Sequence, residues 1–175
     1  FGDTFDHREP NSGGWRSPTG LRSRTGYAGG NRLSDGIRWD NAAGGSRAKE
    51  LTRNAHQTHP SGNSEYTVIP SDAISVNGKV FMFATSVHDW TQSWWMTNCG
   101  FVSVSSDLGE NFNRTNMVWP NNGKGDLRQQ ITLDKGGDGW IYAVGSSFSR
   151  DIDGMLLMRV RESDMASLDK NKWQE

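Results

Sequence analysis

The feature that most limits how this chain can fold is a series of short apolar runs, separated by turn residues, that fills the sequence from Tyr66 onward. Asn77-Gly78 lies between two of these runs and is typical of a two-residue β-hairpin turn. Further runs of the same kind are GFVSVSS, FNRTNMVW, RQQITLD, WIYAVGSSF and MLLMRVR. The pattern favours repeated hairpins over alternating strands and helices, so we predict an all-β fold.

The composition excludes several classes of function. Only 33% of the residues are hydrophobic and the mean hydropathy is -0.74, while 21 glycines and 8 tryptophans point to many turns with aromatic packing. A net charge of -1 gives no electrostatic drive toward nucleic acid. The single cysteine, Cys99, cannot form an internal disulfide, and no apolar run is long enough to span a membrane. We predict neither a metal nor another cofactor.

Residues 105–112, Ser-Ser-Asp-Leu-Gly-Glu-Asn-Phe, resemble the Asp-box turn of sialidase-like β-propellers. In such a turn the Asp carboxylate accepts backbone N–H bonds, the glycine permits a positive φ, and the aromatic residue packs between strands. We therefore interpret Asp107 as structural rather than catalytic. The repeated strands and this turn together predict a β-propeller built from antiparallel four-stranded blades.

The predicted organisation is one partial β-propeller domain over residues 1–175. Residues 6–65, rich in Gly, Ser, Asn, Arg and Thr, are expected to form a loop-rich insertion and the first blade. Residues 66–175 are expected to form the repeated hairpins. The chain accounts for about two blades, and because two blades cannot close a ring, we expect further blades outside it.

Four segments carry a resemblance to a specific family, namely FGDTF, GGWRSPTGLRS, LSDGIRWDNA and YTVIPSDAI. They are similar to a bacterial and phage family of five-bladed β-propellers, formerly a domain of unknown function, that includes endo-D-arabinanases. The resemblance covers most of the chain and makes it roughly the N-terminal half of such a domain. It implies endo-acting hydrolysis of a furanosyl cell-wall polysaccharide such as mycobacterial D-arabinan, by a protein that is extracellular, in the cell envelope or on a virion.

Glycoside hydrolysis requires two carboxyl groups, of which one protonates the departing sugar oxygen while the other attacks the anomeric carbon or activates water. Asp3, in the strand-like string FGDTF, is the first catalytic candidate. Relatives often show an aspartate after the Arg-Ser pair at which this chain reads Arg22-Ser23-Arg24. We therefore predict Asp35 as the second carboxylate, followed by Asp40 and then Asp72. Whether the reaction retains or inverts configuration, and which linkage is cut, stay open.

Polar and aromatic residues in the loops form the predicted sugar-binding surface, since sugar rings stack on indoles and polar side chains orient their hydroxyls. The predicted substrate-binding residues are Trp15, Arg16, Trp39, Asp72, Asp89, Trp90, Trp94 and Trp95. The sequence is equally compatible with a position in the core for Trp90, Trp94 and Trp95. Trp119, Trp140 and Trp173 are predicted to lie in the core.

A second function stays open beside hydrolysis. Arg24 stands where relatives often carry an aspartate, so the chain is also compatible with a non-catalytic glycan-binding module of a phage tail or cell-envelope protein. A polysaccharide or other glycan is the expected partner in both cases, together with further blades or tail proteins. The basic excess of residues 1–53 is interpreted as a solvated surface, and His56 and His59 as surface histidines.

Overall fold

The computed structural model describes residues 1–6, 13–25, 32–56, 64–89, 96–121, 126–148 and 154–175. Within these ranges, strands β1 to β11 are Gly2–Thr4, Arg16–Thr19, Leu21–Arg22, Asn41–Ala42, Thr67–Val76, Lys79–Asp89, Met96–Ser105, Asn113–Pro120, Gln130–Lys135, Trp140–Ser146 and Leu156–Arg161. The helix α1 covers Glu162–Met165, and 3-10 turns cover Leu33–Asp35 and Lys170–Lys172. The strands confirm the predicted all-β class.

The largest sheet is antiparallel and contains β5, β6, β7 and β8 in chain order. Asn77 and Gly78 connect β5 to β6 with φ angles of 50° and 75°, as a type I′ hairpin requires. The Asp-box turn connects β7 to β8, and in it the N–H of Asn111 donates to Asp107 at 2.9 Å. Asp107 also accepts a bond of 2.7 Å from the Ser105 hydroxyl, and these bonds hold its pKa well below the ordinary value.

A second antiparallel sheet contains β9, β10 and β11. Its first turn uses positive φ angles at Gly137 and Gly139, which suit the tight connection from β9 to β10. After β11 the chain turns through α1 and returns along the sheet edge, where Gln174 bridges Arg159. The tail therefore begins with a helical turn and then covers part of the outer strand.

The main core lies between the two sheets. Side chains alternate along each strand, and this sends Phe83, Val102 and Met117 of the large sheet toward Ile141 and Met158 of the second sheet. All five are at most 2% exposed. Burying one such side chain contributes about 1.5–3 kcal/mol, so this interface is a principal source of stability.

The three tryptophans predicted in the core differ in their outcome. Trp119 is 8% exposed, and Trp173 packs edge-on against it with the two ring centroids 6.5 Å apart. Trp140 is only partly buried and lies beneath the guanidinium of Arg161, 3.9 Å from the ring centroid. The prediction for Trp140 is wrong because its neighbour Ile141 takes the core-facing position, so the alternation of β10 turns Trp140 to the opposite face.

The N-terminal strands cover the other face of the large sheet. They form two small antiparallel sheets, β1 with β2 and β3 with β4. Ala43 and Leu51, on the segment that follows β4, pack against Met82 and Phe112. The buried hydroxyl of Ser17 donates to the carbonyl of Val68 at 3.1 Å and so joins β2 to β5. This contact fixes the N-terminal segment against the large sheet.

Three strands from different sheets are neighbours in space, since β2 contacts β5 and β5 contacts β9. Asp72 of β5 strengthens the second contact by accepting the hydroxyl of Thr132 and the N–H of Leu133, each at 2.8 Å. The described part of the chain contains no helix long and apolar enough to cross a membrane.

Candidate functional site

An open cleft of about 640 Å³ lies where the N-terminal segment folds over β2. Its lining residues are Gly14, Trp15, Arg16, Arg47, Ala48, Lys49, Glu50 and His56. Strand β2 is central because Thr19 pairs with Gly2 of β1 and also bridges Glu50. A strand residue has one neighbour at each edge, so β1 and the Glu50 segment lie on opposite sides of β2.

Asp3 adjoins this cleft through Trp15. The indole Nε1–H of Trp15 donates to Asp3 Oδ2 at 3.1 Å, so the carboxylate and the indole hold each other in place. Asp3 lies in β1 as an exposed residue, while Trp15 comes immediately before β2 and is half-buried. The structure thus brings together the first catalytic candidate and one of the predicted sugar-stacking residues.

On the other side of Trp15 lies a histidine–glutamate pair. The Trp15 and His56 rings meet edge to face with centroids 4.8 Å apart. Nε2 of His56 forms a short hydrogen bond with Glu50 Oε1, which also accepts the N–H of Ser17 at 3.1 Å. The side chains of His56 and Glu50 are 30% and 27% exposed, so both are accessible from the cleft.

A carboxylate clamp, formed by Asp6, joins two arginines that line the cleft. Asp6 accepts bonds from Arg16 at 2.8 Å and Arg47 at 2.7 Å, and these two guanidinium groups, Arg16 first, lower the Asp6 pKa. A Cβ added at Gly14 would approach Asp6 Oδ2 to 1.9 Å, and Gly14 has a φ of +60°. Glycine is therefore required where the chain passes the clamp.

The other predicted carboxylates lie apart from the Asp3–Trp15 pair. Asp35 is exposed in the 3-10 turn and accepts a bond from the Ser34 hydroxyl at 3.3 Å. Asp40 accepts the N–H of Arg24 at 2.7 Å, and Asp72 joins β5 to β9. Within the described residues, no hydrogen bond or ion pair connects these three side chains with Asp3 or Trp15.

The remaining predicted binding residues are only partly covered by the structure. Arg16 lines the cleft, whereas Trp39 is 57% exposed on the loop that leads into β4. Asp89 ends β6, and its side chain lies outside the described part of the chain, as do Trp90, Trp94 and Trp95. For these four residues the predicted sugar contacts stay predictions.

Sequence reasoning missed the two residues that complete the row beside Trp15. Glu50 was not singled out, and His56 was interpreted as a surface histidine. No local sequence pattern identifies these two residues. Glu50 is connected to Trp15 through His56, and its segment is held beside β2 by the bridge between Glu50 and Thr19, so both contacts depend on the fold. Among the described residues, no group of three or more His, Cys, Asp or Glu side chains is placed to hold a metal ion.

The fold and cleft define an all-β protein with a tryptophan-centred site between two acidic side chains. The chain belongs to the family described as a domain of unknown function (DUF4185), whose family model matches residues 1–175. The match confirms the predicted membership of a family described as a domain of unknown function, while the propeller, the link to endo-D-arabinanases and the N-terminal-half position stay predictions. No curated protein matches the chain.

Proposed function

We propose that this chain is a β-propeller glycoside hydrolase segment whose cleft binds a furanosyl polysaccharide such as D-arabinan. The observation that carries the proposal is the row formed by Asp3, Trp15, His56 and Glu50. An indole flanked by carboxylates offers a stacking surface for a sugar and the acidic groups that glycoside hydrolysis requires. The sequence resemblance to a family that includes endo-D-arabinanases supports the substrate class.

The arrangement of the sheets supports the propeller. In this proposal, β5–β8 is one blade and β9–β11 belongs to the next, with the main core between their faces. The contacts of β2 with β5 and of β5 with β9 fit consecutive innermost strands around a central funnel. The cleft then lies at that funnel, because Trp15 immediately precedes β2.

The charges around the cleft favour a neutral polymer. The cationic side chains of its lining are each paired with a carboxylate, Arg16 and Arg47 with Asp6 and Lys49 with Glu110. Binding of nucleic acid depends on cations that are free to neutralise phosphates. The cations that line the cleft are therefore paired within the protein, which suits a neutral sugar chain better than an anionic one.

The test is release of oligosaccharides from purified mycobacterial arabinogalactan by the intact protein. Asp3→Asn keeps an acceptor for the Trp15 indole but cannot transfer a proton, so release should fall by about 10²–10⁴-fold. Asp134→Asn is the matched control, since Asp134 lies on β9 and its carboxylate bonds the N–H of Lys135. Equal release by Asp3→Asn and the unchanged protein would reject the catalytic role of Asp3.

A non-catalytic glycan-binding module is the second candidate. It is favoured by one observation, namely that Arg24 forms an ion pair with Asp40 at 3.5 Å, at a position where the sequence resemblance implies an aspartate. Under this alternative the intact protein retains arabinogalactan on a pull-down column and releases no oligosaccharide. The same preparations used for the release assay therefore distinguish the two functions.

A further inference from the structure

The position of Glu50 relative to Asp3 has a chemical consequence for the proposed site. The two residues lie on segments that flank β2 on opposite sides. Neighbouring strands are about 4.8 Å apart, so the two flanking backbones are separated by roughly 10 Å. Both side chains are connected to Trp15, Asp3 directly and Glu50 through His56. A sugar stacked on Trp15 would thus have one carboxyl group toward each side.

Glu50 has one oxygen that is anchored by hydrogen bonds and one that has no partner among the described residues. Oε1 accepts the backbone N–H of Ser17 and pairs with Nε2 of His56. Within the described residues Oε2 has no hydrogen-bond partner, and Glu50 lines the cleft. These two bonds hold the Glu50 carboxylate by one oxygen and leave the other available to a group bound in the cleft.

We infer that Glu50 is the second catalytic carboxylate, opposite Asp3, and that His56 is its positioning residue. The inference rests on the proposed hydrolase function. Glu50 Oε2 removes a proton from water while the water oxygen bonds to the anomeric carbon. The bond from that carbon to the glycosidic oxygen breaks, and this oxygen takes the proton of the Asp3 carboxyl group. Proton transfer from Glu50 to Asp3 through solvent restores the starting state.

The experiment compares Glu50→Gln with Glu162→Gln, whose carboxylate pairs with Lys135 on the second sheet. Glutamine keeps an acceptor for Ser17 but cannot take up the proton. In the arabinogalactan release assay, Glu50→Gln should lower kcat by about 10²–10⁴-fold with little change in KM. Glu162→Gln should release oligosaccharide at the unchanged rate. Formate, added to Glu50→Ala as a substitute carboxylate, should restore part of the turnover.

The positioning role of His56 has a separate readout in the kinetic constants. Replacing His56 by phenylalanine removes the hydrogen bond that orients the Glu50 carboxylate, so kcat should fall while KM stays nearly unchanged. His56→Gln, which keeps a side-chain donor, should retain more of kcat than His56→Phe. A merely structural role of His56 would reduce the amount of folded protein equally in both variants and leave kcat per folded molecule in place.

The outcomes separate this inference from the function on which it rests. Release by Glu50→Gln equal to that of the unchanged protein overturns the role of Glu50 while hydrolysis stands. Loss of release in Asp35→Asn together with normal release in Glu50→Gln assigns the second role to Asp35 instead. Glycan binding without release by the unchanged protein overturns both proposals.

Discussion

Glu110 shows at the scale of one residue how the cleft is attached to the rest of the protein. It belongs to the Asp-box turn, but the described partners of its carboxylate come from the N-terminal segment. Arg22 donates to it at 2.8 Å, the N–H of Gly44 at 2.7 Å, and Lys49 lies 3.0 Å from its carboxylate. These contacts, with that of Arg22 the largest, lower the Glu110 pKa from 4.5 to about 2. One half-buried carboxylate therefore ties the segment that carries Glu50 to the large sheet.

This attachment predicts a specific pH dependence of stability. A carboxylate whose pKa is lowered by folding stabilises the native state above the unfolded pKa, and this stabilisation is lost as pH falls through the folded value. The relevant window extends from about 4.5 down to about 2. Glu110→Gln should therefore lower the melting temperature at pH 7, and the gap from the unchanged protein should shrink as the pH approaches 2.

Thermal melts of both proteins at several pH values check the Glu110 prediction. Glu162→Gln serves as the control, because Lys135 is its ion-pair partner and it is not part of the contact with the N-terminal segment. A gap between Glu110→Gln and the unchanged protein that stays constant from pH 7 to pH 2 would show that the Glu110 contacts do not depend on its charge.

At the scale of the elements, the backbone of residues 127 and 128 passes close to β7 of the large sheet and β10 of the second sheet. This close approach determines how the two sheets pack together. A Cβ at Gly100 of β7 would lie 2.2 Å from the carbonyl oxygen of Arg128. A Cβ at Gly145 of β10 would lie 2.3 Å from that of Leu127. Both strands thus use glycine where backbone passes against their faces, and a side chain there would separate the layers.

Gly100→Ala should consequently destabilise the protein by about 1–3 kcal/mol, the usual consequence of overfilling a packed interior. Gly154→Ala is the matched control, since a Cβ at Gly154 meets nothing within 4 Å. Urea denaturation of the two variants measures the free energy of unfolding. If Gly100→Ala were as stable as Gly154→Ala, the segment at 127 and 128 would not be held against β7.

At the scale of the whole molecule, sequence reasoning was most successful where the signal was local. Asn77-Gly78 and the Asp-box each specify a turn through their own φ angles and short-range hydrogen bonds, and both turns formed as predicted. Trp140 shows the limit of such reasoning, because burial depends on which face of β10 meets the other sheet. The propeller and its missing blades stay predictions.

The site was less accessible to sequence reasoning for a physical reason. Asp3 and Trp15 were both named as candidates, yet their hydrogen bond depends on the pairing of β1 with β2. Glu50 joins them only because its segment bridges Thr19 on the other edge of β2. Such contacts across strands leave no spacing pattern in the chain, whereas a helix or a hairpin turn does.

The measurement that tests the account most directly is a crystal structure of Asp3→Asn with a bound arabinofuranosyl oligosaccharide. The substitution should preserve the cleft and slow cleavage. We expect one sugar ring to lie against the indole of Trp15. The glycosidic bond that the unchanged protein cuts should lie between the side chain at position 3 and the side chain of Glu50. An oligosaccharide bound at another surface, with the Trp15 cleft empty, would contradict the account.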